Sequence, residues 1–120
     1  MRSFLLFVVL LLGPVYAAEI GDCKAGKECA LKGVLQIYRT PPAATSVLNL
    51  GGSCVPLALP EHVYENYERW DGAEVSIVGT AFAHQLAEEV IFYDLKGRNV
   101  TGSICTGSPL VVFVESLKRL

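Results

Sequence analysis

Positive charge is scarce in this chain. Ten Lys and Arg stand against twelve Asp and Glu, a net charge of −2 at neutral pH. No cluster of cations is available to displace counterions from a phosphate backbone, so nucleic acid is not an expected partner. Histidine is scarcer still, with His62 and His84 alone. Neither has a His or acidic partner at metal-ligand spacing, and Glu61-His62-Val63-Tyr64-Glu65 lacks the His-Glu-x-x-His order. Both are read as solvated surface side chains. The chain has no Cys-x-x-Cys pair: its four cysteines are separated by 5, 24 and 50 residues, which argues against a zinc site. A Gly-x-Ser-x-Gly elbow is missing. Gly51-Gly52 is not followed by Lys-Ser/Thr, so there is no phosphate-cradling loop. Glu88 and Glu89 are adjacent; on a strand they would point to opposite faces and could not flank one glycosidic bond. No catalytic residue, metal or cofactor is expected, and the chain reads as non-enzymatic.

The sequence is rich in apolar runs. Arg2 precedes an unbroken apolar stretch from Phe4 to Leu12, then Gly13-Pro14 and Val15-Tyr16-Ala17. This is the layout of a secretory signal peptide over residues 1–17, too short and too abruptly ended for a membrane span. The expectation is a periplasmic or secreted protein, with residues 18–120 as one domain and no membrane attachment after cleavage. Four cysteines in an exported chain of this size read as two disulfides. Three pairings are possible; Cys23–Cys29 with Cys54–Cys105 is preferred. The first closes the short polar Cys-Lys-Ala-Gly-Lys-Glu-Cys turn, and the second ties the middle of the domain to its last third. On a chain-entropy basis they contribute roughly 2 and roughly 4 kcal/mol.

Beyond the first cysteine pair, residues 30–39 alternate in polarity with a period of two and predict a half-buried strand. Pro41-Pro42 breaks it. Residues 47–59 read as a second strand interrupted by a bulge or sharp bend at Gly51-Gly52, with Pro56 placing its later part at an edge. Pro60 opens a helix of about ten residues, with Val63, Tyr67 and Trp70 on one stripe, Tyr64 beside them, and Glu61, Glu65 and Glu68 toward water. Asp71-Gly72 ends it. Ala73–Ala83 is then a strand with a kink at Gly79. Residues 84–90 read as a connection, and residues 90–95, 100–105 and 110–117 as further strands. Leu110–Val114 is apolar on both sides. Asn99-Val100-Thr101 fits an N-glycosylation acceptor pattern.

This layout is that of a small barrel with a helical plug, an all-β fold with one short helix. The helix followed by Trp-Asp-Gly-Ala-Glu-Val-Ser-Ile-Val-Gly resembles the oligonucleotide/oligosaccharide-binding (OB) barrel and its Gly-x-x-Val-x-Val-x-Gly strand, in particular the small exported bacterial members of unknown role. An eight-stranded inhibitor-type barrel is the alternative, though it normally lacks a mid-chain helix. The resemblance implies a five- to six-stranded OB-like barrel stapled by disulfides. It further implies a ligand face on the second and third strands. Tyr38, Arg39 and Thr40 in the loop after strand one, and Lys96, Gly97 and Arg98 in the late turn, would border that face. The functional expectation is a non-catalytic exported binding module for a protein, peptide or glycan. The alternative is a structural or oligomeric subunit of an exported complex, contacting its neighbours through the two-sided apolar strand.

Overall fold

The computed structural model describes residues 19–20, 23–39, 43–85, 92–102, 104–105 and 107–120. The expected signal peptide, Thr40, Pro41-Pro42 and Glu88-Glu89 lie outside these residues. In chain order the elements are β1 (Glu19–Ile20), β2 (Cys23–Lys24), β3 (Glu28–Tyr38), β4 (Thr45–Asn49), β5 (Cys54–Ala58), α1 (Glu61–Glu65), α2 (Tyr67–Trp70), β6 (Glu74–Ala83), β7 (Phe92–Leu95), β8 (Arg98–Thr101) and β9 (Leu110–Arg119). Five of them close a barrel in the order β3-β4-β5-β9-β6. Every seam is antiparallel except β5–β9, which is parallel and pairs only Leu57 with Val112 and Ala58 with Phe113. A parallel seam needs a long crossover. Here the crossover contains both helices, β6 and the β7–β8 hairpin.

The barrel interior is filled by the inward-pointing residues of each strand, among them Leu35, Leu48, Leu57, Ile77 and Val112, all fully buried. β6 shows the expected alternation, with Val75, Ile77 and Ala81 buried and Glu74, Ser76, Val78 and Phe82 more exposed. The alternation runs on through Gly79, which is itself buried, but the pairing does not. The register with β9 shifts between Val78 and Gly79, and a Cβ at Gly79 would collide with the Phe113 carbonyl. The absent side chain allows the two strands to approach closely at this bend.

Gly51-Gly52 proves to be a turn, not a bulge within one strand. Gly51 has φ +100°, the Leu50 N–H donates to the Ser53 carbonyl at 2.9 Å, and β4 and β5 pair antiparallel across it. β5 is also not an edge strand. Pro56 lies immediately before Leu57, where pairing with β9 starts, so the missing N–H of proline falls next to the seam's end rather than inside its ladder.

The expected single helix is split at Asn66. The Asn66 side-chain amide donates to the His62 carbonyl at 2.9 Å, and its backbone adopts φ −117°, ψ 39°. A short amide side chain that satisfies the preceding turn competes with helix continuation. The apolar stripe nevertheless serves its purpose: Val63 is buried, and Tyr64, Tyr67 and Trp70 pack against the core from outside. After Trp70 the chain runs alongside β3 as a substitute for β6. The Gly72 N–H donates to the Leu35 carbonyl at 2.7 Å and the Leu35 N–H to the Ala73 carbonyl at 2.9 Å. The Ile37 N–H reaches the Asp71 carboxylate at 2.9 Å. Gly72, at φ +84°, makes the reversal that a side chain would resist. Trp-Asp-Gly thus ends the helix and extends the wall of the barrel in one stroke.

Both disulfides join the expected cysteines. Cys23–Cys29 closes the first turn with Cα atoms 5.0 Å apart, and Cys54–Cys105 spans 5.7 Å between the start of β5 and the segment after β8.

Candidate binding groove

Strand order, helix position and parallel closure are those of an OB barrel, whose ligands lie on the second and third strands between two flanking loops. Here those strands are β4 and β5, and the flanking connections are the one that enters β4 and the one between β6 and β9 that carries the β7–β8 hairpin. The outer face of β4 and β5 is not open. Thr45–Leu48 and Val55–Ala58 are buried on both sides, because β8 lies across them. Ala58, Val100 and Val111 form a second small core, with Phe82, Tyr93, Leu95 and Phe113 packed around it. The hairpin that covers this face is sharply made. Lys96 (φ 51°) and Gly97 (φ 88°) are both left-handed between the paired Leu95 and Arg98, the signature of a two-residue type I′ turn. The Gly97 N–H donates to the Asp94 carboxylate at 3.1 Å.

Arg98 fastens the hairpin down. Its Nη1 donates to the Ala58 carbonyl at 2.9 Å and to the Val114 carbonyl at 2.7 Å, and its guanidinium stacks 3.8 Å from the centroid of Phe113. The two carbonyls belong to β5 and β9 just where their short parallel seam ends. Burial lowers the Arg98 pKa, opposed by Tyr64 and Glu115; an arginine is still charged at neutral pH.

A groove of about 410 Å³ opens beside this fastener. Ala44 comes from the segment before β4; Glu61, Tyr64 and Glu65 come from α1; Arg98 and Asn99 come from the hairpin. The Tyr64 hydroxyl is 3.0 Å from that of buried Ser46. Burial raises its pKa, while the Ser46 hydrogen bond and the Arg98 charge oppose the rise. Tyr64 thus stays a neutral phenol whose ring forms part of the groove wall, with the carboxylates of Glu61 and Glu65 exposed around it.

Of the residues expected at the rim, Gly97 and Arg98 line this groove, and Thr40 lies outside the described residues. The others have different partners. Tyr38 donates its hydroxyl proton to Gln36 at 3.3 Å, within a polar patch that Asn49 completes at 2.7 Å. Arg39 stacks over Tyr67 at 3.8 Å, and Lys96 lies 4.9 Å from the centroid of Phe82. Glu61, Tyr64, Glu65 and Asn99 were not singled out as binding residues from the sequence. Their common signal is position: α1 directly follows β5, so its first turn must border any loop that crosses the same end of the barrel.

His84 departs from the surface expectation. It is buried, with 7% of its surface exposed. Its Nδ1 is hydrogen-bonded to the Tyr93 hydroxyl, and its backbone N–H donates to the Pro109 carbonyl at 3.0 Å. Burial lowers its pKa. It joins the end of β6 to β7 and to the lead-in of β9. His62 is exposed, as expected. Asn99 is exposed, whereas Val100 and Thr101 of its acceptor pattern are buried. Among the described residues, no group of three His, Cys, Asp or Glu could hold a metal ion, and no helix is long and apolar enough to cross a membrane.

No family model matches the chain, and no curated protein matches it. Among solved structures the chain is similar to one described as "OBody AM3L09 bound to hen egg-white lysozyme". The TM-score is 0.50 and the identity 16%, over 80% of this chain and 83% of that one. The likeness is one of fold, and the fold is a small β-barrel of OB type.

Proposed function

We propose that this protein is a non-catalytic exported binding module, and that it holds a segment of a protein partner in the groove between α1, the loop before β4 and the tip of the β7–β8 hairpin. The observation that carries this reading is the groove itself. It is lined by an aromatic ring, two exposed carboxylates and a side-chain amide at one rim of a rigid, doubly stapled barrel. Concave sites with an apolar wall and a few oriented polar groups are the usual form of a recognition surface. The similar OB barrel, seen bound to lysozyme, supports a protein partner ahead of a glycan. The export expected from residues 1–17 places such a module in the periplasm or medium, where its disulfides are maintained.

Two arrays test this, one of peptides and one of glycans, probed with the oxidised monomer. Peptide hits are expected, weakened at least about tenfold by Glu61→Arg or Asn99→Arg, a change of about 1.4 kcal/mol. Glycan hits with the same sensitivity would keep the groove and change the partner class. Blank arrays, or hits indifferent to both substitutions, would remove the groove as the site. The subunit reading drew on Leu110–Val114; within the chain, Val111 and Phe113 are already covered by the hairpin.

A further inference from the structure

The face that an OB barrel offers to ligands is filled here by the chain's own β7–β8 hairpin, and the attachment has an unusual character. The hairpin forms a two-stranded sheet of its own and shares no strand pairing with the barrel. Among the described residues, its attachments include one small apolar patch around Val100, the Arg98 hydrogen bonds and stacking on Phe113, the Lys96–Phe82 contact, the His84–Tyr93 hydrogen bond and the Cys54–Cys105 disulfide.

We propose that Cys54–Cys105 is a redox latch: its reduction lets the β7–β8 hairpin lift from the outer face of β4 and β5 while the barrel stays folded. The two disulfides differ in the way this requires. Cys23 is fully buried and Cys29 nearly so, within the turn that extends β3 and β6. Cys54 is only partly buried, at the first residue of β5, and its partner Cys105, though itself buried, belongs to the segment after the hairpin rather than to the barrel. The five barrel strands pair without that segment. The reductant is a dithiol. One thiolate attacks the Cys54 sulfur, and Cys105 leaves as a thiolate that takes up a proton. The second thiol then displaces Cys54 as a free thiol and closes the reductant's own disulfide, so that two electrons pass from reductant to protein. A released two-stranded hairpin is only marginally stable by itself, so its internal hydrogen bonds open as well. While the disulfide is intact, the β4–β5 face is closed to partners and recognition is confined to the groove. The biological meaning of the latch rests on the binding-module reading, but the lifting of the hairpin does not.

Hydrogen exchange on the full chain, with and without dithiothreitol, tests the latch without any partner. Amides of Tyr93, Leu95 and Val100 are expected to lose at least about tenfold in protection on reduction, while those of Leu35, Ile77 and Val112 keep theirs. The Cys54→Ala/Cys105→Ala double variant should reproduce the reduced pattern with no reductant present. Hairpin amides as protected as before would overturn the proposal. So would a loss of protection shared equally by hairpin and barrel, in either sample, because the hairpin would then be an integral part of the wall. Failure of the peptide arrays leaves these outcomes untouched, and the reverse also holds.

Discussion

β6 and β5 are walls of the same barrel with opposite surroundings. β6 buries every second residue and leaves its other face half-exposed, touched by the hairpin only toward its end at Phe82. β5 is buried on both faces from Val55 to Ala58, and so is β9 over its first three residues. The difference marks the footprint of the hairpin. On the β6 side, structure rests on area and on long strand ladders. The cover laid over β5 rests instead on a small apolar patch and a few chemically addressable bonds. Area is insensitive to solution chemistry, whereas a disulfide, a guanidinium clasp and a buried imidazole each answer to a different reagent.

The comparison breaks most completely at Gly79. Gly79→Ala drives a Cβ into the Phe113 carbonyl, and separation of the β6–β9 seam is expected to cost about 3 kcal/mol or more. A lowered denaturant midpoint should be reported equally by far-UV dichroism and Trp70 fluorescence. Arg98→Met sharpens the contrast from the other side. Loss of the two charge-assisted bonds is expected to cost about 2 kcal/mol, seen chiefly as faster exchange in β7 and β8. Equal losses in β6 would contradict the division between wall and cover.

Next in size is a pH effect. His84 has a lowered pKa in the folded state because it is buried, so the unfolded chain binds its proton first as pH falls. The stability that neutral His84 provides is fully present above the ordinary histidine value. It is lost as pH falls through that value toward the lowered one, by at most about 1.4 kcal/mol per pH unit. Urea titrations between about pH 7 and 5 should show this slope, flattened in His84→Gln. The smallest change expected is for Asp71→Ala, which strips the Ile37 N–H of its acceptor. A loss of about 1 kcal/mol should be accompanied by faster exchange of that one amide.

Much of the wall was legible because its information is local. The alternation of Val75 and Ile77, the stop at Asp71-Gly72, the kink at Gly79 and the spacing of the cysteines all declare themselves within a few residues. Asn66 was legible in principle, since its side chain competes with the helix at close range, yet the regular Val63–Tyr67–Trp70 stripe masked it. The cover was not legible. Phe92–Leu95 and Arg98–Thr101 have the composition of barrel strands, and nothing in them says that they pair only with each other. Arg98 was picked out as a rim cation, and it does reach the groove. That its Nη1 also meets the carbonyls of Ala58 and Val114 depends on where β5 and β9 part, a property of the closed barrel and not of any stretch of sequence. His84 was misjudged for the same reason: the groups that bury it belong to β7 and to the approach to β9.

The parallel seam has a consequence for how the molecule is made. Two residue pairs join Leu57–Ala58 to Val112–Phe113, partners 55 positions apart in sequence. Closing so distant a contact is entropically slow. Cys54 stands three positions ahead of Leu57, so a chain already oxidised at Cys54–Cys105 begins that search with its far ends tied together. Order of assembly, and not only final strength, is thereby written into the placement of one sulfur bridge.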